Sequence, residues 1–205
     1  MSIWKSGSDR LFNYVFYLPF GGEGSFRRKC LDFARIEKGD RVLDVCCGSG
    51  VLTRLIGECS GCSGQVIGVD ISQSALKEAK NLQNQCIAFT CASGENLPLR
   101  SSSFDKCFLS FGLHHMDRQA RQKTLQEIGR TLTAGGSLFV IEYNLPEGAV
   151  AKLISRALVK LDTSQEACPM LMNANLREEL QKAGLTIKRR EFIGRGIIQL
   201  VEAGK

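Results

Sequence analysis

Residues 41–50 read Arg-Val-Leu-Asp-Val-Cys-Cys-Gly-Ser-Gly, an apolar run carrying one carboxylate, Asp44, that ends in a glycine-containing turn. Residues 51–59 then follow the spacing of a helix. Gly48 and Gly50 let backbone pass close to a ligand, and the free N–H groups at the start of the next helix can receive an anion. A second apolar run, Val66-Ile67-Gly68-Val69, ends in Asp70 about twenty residues on. In an open α/β sheet an acid so placed hydrogen-bonds ribose hydroxyls. From residue 41 the chain keeps alternating, with strands near 41–45, 65–70, 86–91, 104–111 and 136–143 and helices near 51–59, 72–83 and 117–133. Alternation with short connections demands a mostly parallel sheet covered by helices on both faces.

The ligand of this loop follows from charge. Thr53 stands where a dinucleotide fingerprint has its third glycine, and Asp44 just upstream is a poor neighbour for pyrophosphate. S-adenosylmethionine carries no phosphate. Its ribose suits Asp70, its ammonium suits Asp44 directly or through water, and its carboxylate suits backbone N–H groups.

Bulk properties bound the remaining choices. The chain has 205 residues, enough for one domain with a substantial core, and its 43% hydrophobic and 23% charged content is that of a soluble globule. No run approaches the roughly 20 apolar residues of a membrane helix, and the N-terminus lacks a basic-then-apolar signal, so a cytoplasmic protein is expected. The nine cysteines are odd in number. Cys46, Cys47, Cys86, Cys91 and Cys107 fall in or at the ends of strands, where they act as small hydrophobes, which suits a reducing compartment. Cys59 and Cys62 have metal-like or redox-like spacing but lie in a helix-to-strand connection without a second such pair, so a plain loop and no metal are expected. The net charge is +6. Residues 41–150 hold equal numbers of basic and acidic side chains, so the excess lies in the flanks, with no like-charge block or basic aromatic stripe to suggest nucleic-acid binding.

Taken in order, Val42 to Gly50, Val69-Asp70-Ile71-Ser72, Gly94-Glu95-Asn96-Leu97-Pro98, Ser103-Phe104-Asp105, Phe111-Gly112-Leu113-His114-His115-Met116 and Leu132-Thr133-Ala134-Gly135-Gly136 resemble class I S-adenosylmethionine-dependent methyltransferases. The nearest flavour is the ubiquinone/menaquinone C-methyltransferase-like, or methyltransferase type 11-like, branch. The resemblance spans residues 37–145. It implies a Rossmann-like, seven-stranded, mostly parallel sheet with an antiparallel last strand, and a cofactor at the carboxyl ends of the first strands. The cofactor-binding set it implies is Asp44, Cys46, Gly48, Gly50, Asp70, Ile71, Ser93, Gly94, Glu95 and Phe111, with Ile71 against the adenine. Cys46 departs from the small glycine or alanine frequent at its position. Ser93 stands where an acid often caps the adenine amine, so a weaker hydroxyl or backbone contact is expected there.

The donor sulfonium is already activated, so catalysis reduces to positioning, plus a base where the acceptor must lose a proton. His114 and His115, the only histidines, are the candidates; on a strand their side chains would alternate, so one would face the substrate. They also read as residues capping the turn or packing on the cofactor. Glu142 and Tyr143 are second choices, Glu142 reading more readily as a loop-fixing or solvent-facing acid, while Tyr14 and Tyr17 belong to an aromatic segment that reads as lid or core.

The organisation expected is a single domain, residues 1–205, with N-terminal lid helices (1–36), a cofactor core (37–145), a helical substrate-side insertion (146–172) and a C-terminal helix and strand pair (173–205). Within 149–161, Lys152, Arg156 and Lys160 recur every four residues beside Leu153, Ile154, Ala157, Leu158 and Leu161. Such a basic amphipathic helix suits either peripheral contact with an anionic membrane or an ordinary solvated lid. The expected function is methyl transfer to a small, lipophilic or aromatic acceptor, with quinone-like C- or O-methylation in view, by a monomer or homodimer. The rival readings are a catalytically silent binding or regulatory protein and an RNA or protein methyltransferase, the last favoured only if the C-terminal basic residues converge in space.

Overall fold

The computed structural model describes residues 16–162 and 175–205. Seven strands form one sheet: β1 (Arg41–Val45), β2 (Gln65–Asp70), β3 (Ile87–Cys91), β4 (Phe104–Ser110), β5 (Leu132–Tyr143), β6 (Thr186–Ile193) and β7 (Ile198–Gly204). Their order is β3-β2-β1-β4-β5-β7-β6. Pairs β1 to β5 are parallel, and β7 runs antiparallel to both of its neighbours. The expected C-terminal strand pair is present, but β7 is threaded between β5 and β6, so β6 alone forms that edge.

Among the described residues six helices surround the sheet: α1 (Glu23–Ala34), α2 (Val51–Ser60), α3 (Gln73–Ala79), α4 (Arg118–Thr131), α5 (Ala149–Asp162) and α6 (Asn175–Lys182). Short 3-10 turns occupy Leu18–Phe20, Lys80–Leu82 and Leu113–His115. The helix expected over 72–83 stops as an α-helix at Ala79 and finishes in the second of these turns. Ser72 starts it by accepting the Ala75 N–H on its hydroxyl, and Asp117 does the same for α4 through the Ala120 N–H.

Strand alternation divides the core in two. Val42, Phe108, Phe139 and Ile141 face α1 and α2 with Phe26, Leu31, Leu52 and Ile56, whereas Leu43, Val45, Cys107, Leu109, Leu138 and Val140 face α4 and α6 with Leu125, Ile128, Leu176 and Leu180. Both sheet faces are therefore dry, and polar chemistry is pushed to the strand ends. Across the second layer the buried Arg121 guanidinium on α4 meets the Glu179 carboxylate on α6 at 3.2 Å.

One cysteine reading changes. Cys62 is disulfide-bonded to Cys86, so Cys86 is not simply a packed thiol. The bond joins the loop after α2 to the start of β3, and Cys59 remains an exposed free thiol. Tyr14 and the segment 163–174 lie outside the described residues. No helix among the described residues is long and apolar enough to cross a membrane.

Candidate active site

The carboxyl ends of β1, β2, β4 and β5 converge on the expected loop. Cys46 and Gly48 both have positive φ (61° and 54°), and Gly50, the N-cap of α2, has φ 77° with no side chain capping the helix. The two loop glycines are not equivalent. A Cβ on Gly48 would meet nothing within 4 Å, whereas one on Gly50 would come within 2.7 Å of the Phe89 ring and 3.1 Å of the Ala79 Cβ. Gly48 therefore presents open backbone, and Gly50 is held to glycine by packing. Gly94 resembles Gly50 in this respect, since its missing side chain makes room for Thr124 Cγ2 at 2.9 Å and Val45 Cγ1 at 3.3 Å.

Asp70, at the end of β2, accepts the Gly48 N–H on Oδ2 and the Ser72 N–H on Oδ1, both at 2.8 Å. Two backbone donors on opposite oxygens lock the carboxylate plane and leave further lone pairs for hydroxyl donors. Ile71 beside it is 72% exposed. A buried isoleucine is the ordinary outcome; here the side chain stands free beside the fixed acid, as an adenine face requires. Ser93 is half-buried and spends its hydroxyl on the Glu95 N–H at 3.2 Å, while Glu95 Oε2 lies 3.6 Å from Lys123 Nζ. The Ser93 carbonyl is engaged as well, accepting the Asn96 N–H at 3.1 Å, so the hydroxyl and the carbonyl each keep one lone pair for an amine.

Asp44 lies beneath the loop rather than in its mouth. It is buried, and Thr53 on α2 donates its hydroxyl to Oδ2 at 2.6 Å. Burial pushes its pKa up to about 7; the Thr53 hydrogen bond and the Arg27 charge pull it down, and the Asp70 charge adds to the rise. The residue that spoils the dinucleotide fingerprint, Thr53, is therefore a partner of Asp44. Burial and the neighbouring carboxylates push both the Cys46 and Cys47 thiols upward, which leaves them protonated packing groups. Cys46 lies under Gly112, where an added Cβ would come within 2.9 Å of its sulfur.

The histidines lie in the 3-10 turn after β4, not on the strand, so strand alternation does not distribute them. His114 is fully buried and its Nδ1 lies 2.7 Å from Glu142 Oε1, whereas His115 is exposed with its ring centroid 4.0 Å from that of His114. Glu142 is not solvent-facing: it is fully buried at the end of β5 and also accepts the Tyr143 N–H on Oε1 at 2.9 Å. A sequence signal for this existed, because Glu142 is the one acid of β5 and directly follows the apolar run Leu138-Phe139-Val140-Ile141. Phe111, with φ 51°, packs its ring 5.3 Å from Tyr143, 5.7 Å from Phe16 and 5.9 Å from Phe26. Tyr17 is buried in the same cluster. This aromatic wall from α1 and the segment before it was missed as a unit, since its members come from four separate stretches of chain.

A sheet of this order, with an uncapped helix after β1 and a fixed acid after β2, defines a nucleoside site at the strand carboxyl ends. A family model described as a methyltransferase domain matches residues 42–136. The chain is similar to an uncharacterised methyltransferase of Synechocystis sp., 30% identical over 189 residues that cover 91% of this chain and 85% of that one. It belongs to the class I S-adenosylmethionine-dependent methyltransferases. A demethylmenaquinone methyltransferase of Staphylococcus saprophyticus is 30% identical over 70% of this chain, although the match spans only 60% of that protein's length. In fold the chain is similar to an S-adenosylmethionine-dependent methyltransferase from Aquifex aeolicus, with a TM-score of 0.73, 18% identity and 98% coverage of both chains. S-adenosylmethionine is thus the cofactor. The open cradle at Gly48, the fixed Asp70 carboxylate and the exposed Ile71 fit its nucleoside.

Proposed function

We propose that this methyltransferase modifies a small aromatic or lipophilic acceptor of quinol or phenol type, with His114 as the general base and Glu142 as the residue that positions it. The observation that carries the reading is the fully buried His114–Glu142 pair, 2.7 Å apart, set into an aromatic wall at the ends of β4 and β5. Bound S-adenosylmethionine supplies an activated methyl group. On the protein side, Asp70 would hold the ribose, Ile71 one adenine face, Gly48 and the start of α2 the amino-acid part, with Cys46, Ser93, Gly94 and Glu95 shaping the remainder. Phe111 and Tyr143 exclude water and offer ring faces to a planar acceptor. The Glu142 carboxylate fixes the His114 ring, so the opposite nitrogen, Nε2, is the atom that would take the acceptor proton. Because His114 is covered by this wall, acceptor entry requires the Phe16–Phe20 segment to move off Phe111 and Tyr143.

The similarity to a demethylmenaquinone methyltransferase supports a quinone-like acceptor, with carbon or oxygen as its nucleophilic atom. The RNA or protein reading needs a broad convergent basic surface in the C-terminal part, and some of that charge is taken up by acids instead. Lys182 pairs with Glu178, and Arg189 pairs with Glu191 and Glu202. Turnover of a phenol series with labelled cofactor tests the proposal. His114→Asn should lower kcat by about 10²–10⁴-fold for weakly acidic acceptors, with a smaller loss for acceptors already ionised in solution. An equal loss across the series, or no loss, contradicts a base at His114.

A further inference from the structure

Two outer elements flank the turn between β6 and β7, the 3-10 turn Leu18–Phe20 directly and α5 through Asn144. Gly194 lies so close to the Phe20 ring that an added Cβ would come within 2.5 Å of it, and Pro146 would meet a Cβ on Gly196 at 3.2 Å. Asn144 donates its side-chain N–H to the Gly196 carbonyl at 2.7 Å, and its own carbonyl accepts the Ser155 hydroxyl of α5 at 2.6 Å. The 3-10 turn Leu18–Phe20, the β6–β7 turn and α5 thus form one rim, at the end of β5 that carries Glu142.

This rim is apolar where solvent is expected. Leu153 is 71% exposed, Leu18 60% and Ile154 45%, while Ser155, next after Ile154 in α5, is buried. An ordinary surface helix turns its leucines inward and its serine out. Lys152 and Arg156 flank the exposed pair on α5 and Arg195 stands exposed in the β6–β7 turn, and none of the three has an ion-pair partner among the described residues. Glu147 is the single acid between residues 144 and 161.

We infer that this rim is a docking surface for an anionic lipid bilayer, with Leu18, Leu153 and Ile154 entering the headgroup–acyl boundary and the three cations meeting lipid phosphates. Three side chains fall far short of the roughly 800 Å² per partner that a stable protein interface buries. They suffice for shallow interfacial insertion supported by basic residues. Delivery of a lipophilic acceptor from the bilayer to the site rests on the proposed function; the lipid contact itself does not.

Co-sedimentation of the full chain with phosphatidylglycerol–phosphatidylcholine vesicles, and with pure phosphatidylcholine vesicles, at low and high salt tests this. Binding should require phosphatidylglycerol, weaken with salt, and vanish in Leu153→Glu/Ile154→Glu. Lys152→Gln and Arg156→Gln should each lower partitioning about fivefold, and all variants should keep wild-type affinity for S-adenosylmethionine, which certifies their fold. The inference is overturned if the wild type ignores anionic vesicles, if the double glutamate variant binds them equally, or if that variant instead dissociates a dimer in sedimentation equilibrium. Turnover of a water-soluble phenol without vesicles reports on the acceptor reading separately.

Discussion

Asp44 and Asp70 end adjacent strands in opposite surroundings. Asp70 is fixed by two backbone N–H groups at a half-buried strand end, whereas Asp44 is sealed in with one hydroxyl. Because the folded-state pKa of Asp44, about 7, lies above the ordinary carboxylate value of 3.8, the folded chain holds an extra proton between those values. Its contribution to stability therefore falls as pH rises from about 4 to 7. Asp44→Asn should remove this dependence: thermal melts of the cofactor-free protein should match wild type near pH 4 and exceed it at pH 8. A constant difference across pH would refute the buried-acid assignment. The loop glycines separate in the same way. Gly48→Ala should cost only about 1–2 kcal/mol of left-handed backbone strain and show mainly as weaker cofactor binding. Gly50→Ala adds a collision with Phe89 and should cost distinctly more stability by denaturant titration.

At the scale of elements, the disulfide Cys62–Cys86 encloses β2 and α3, the unit that carries Asp70, Ile71 and Ser72. Removing it by Cys86→Ser should destabilise the chain by about 3 kcal/mol, the usual entropy of a loop of this size; an unchanged melting temperature in oxidising buffer would show that the bond does not form in solution. Breaking the buried Arg121–Glu179 pair with Glu179→Leu should cost about 3–5 kcal/mol, since Arg121 is left charged and sealed between α4 and α6. Urea titration that finds less than 1 kcal/mol would contradict the burial. Strands β1 and β2 were legible in the sequence to the residue, because Asp44 and Asp70 punctuate apolar runs that glycine turns and helices bound. The His114–Glu142 pair was not legible as a pair. Its members are 28 residues apart, and the strand alternation invoked for the histidines does not operate in a 3-10 turn. The disulfide was not legible for a related reason, since Cys62 and Cys86 are 24 residues apart and only the parallel pairing of β2 and β3 brings them together.

For the molecule as a whole, β–α alternation and motif order specify the sheet, the cofactor and the end of the sheet at which the site lies. They do not specify the acceptor, because the walls proposed for it come from the segment before α1, the turn after β4 and the end of β5, which converge only in the folded chain. The position of β7 between β5 and β6 follows from burial: Ile198 and Leu200 pack into one layer and Val201 and Ala203 into the other, whereas the charged β6 is largely exposed at the edge. If the carboxyl ends of β1 and β2 hold S-adenosylmethionine through Asp70, calorimetric titration of the cofactor into wild type and Asp70→Ala will show it. A single site in the wild type, with affinity at least tenfold weaker in the variant, is the expected result, in line with the loss of charge-assisted bonds of about 1.5–3 kcal/mol each. Equal affinity in a folded Asp70→Ala protein would contradict it.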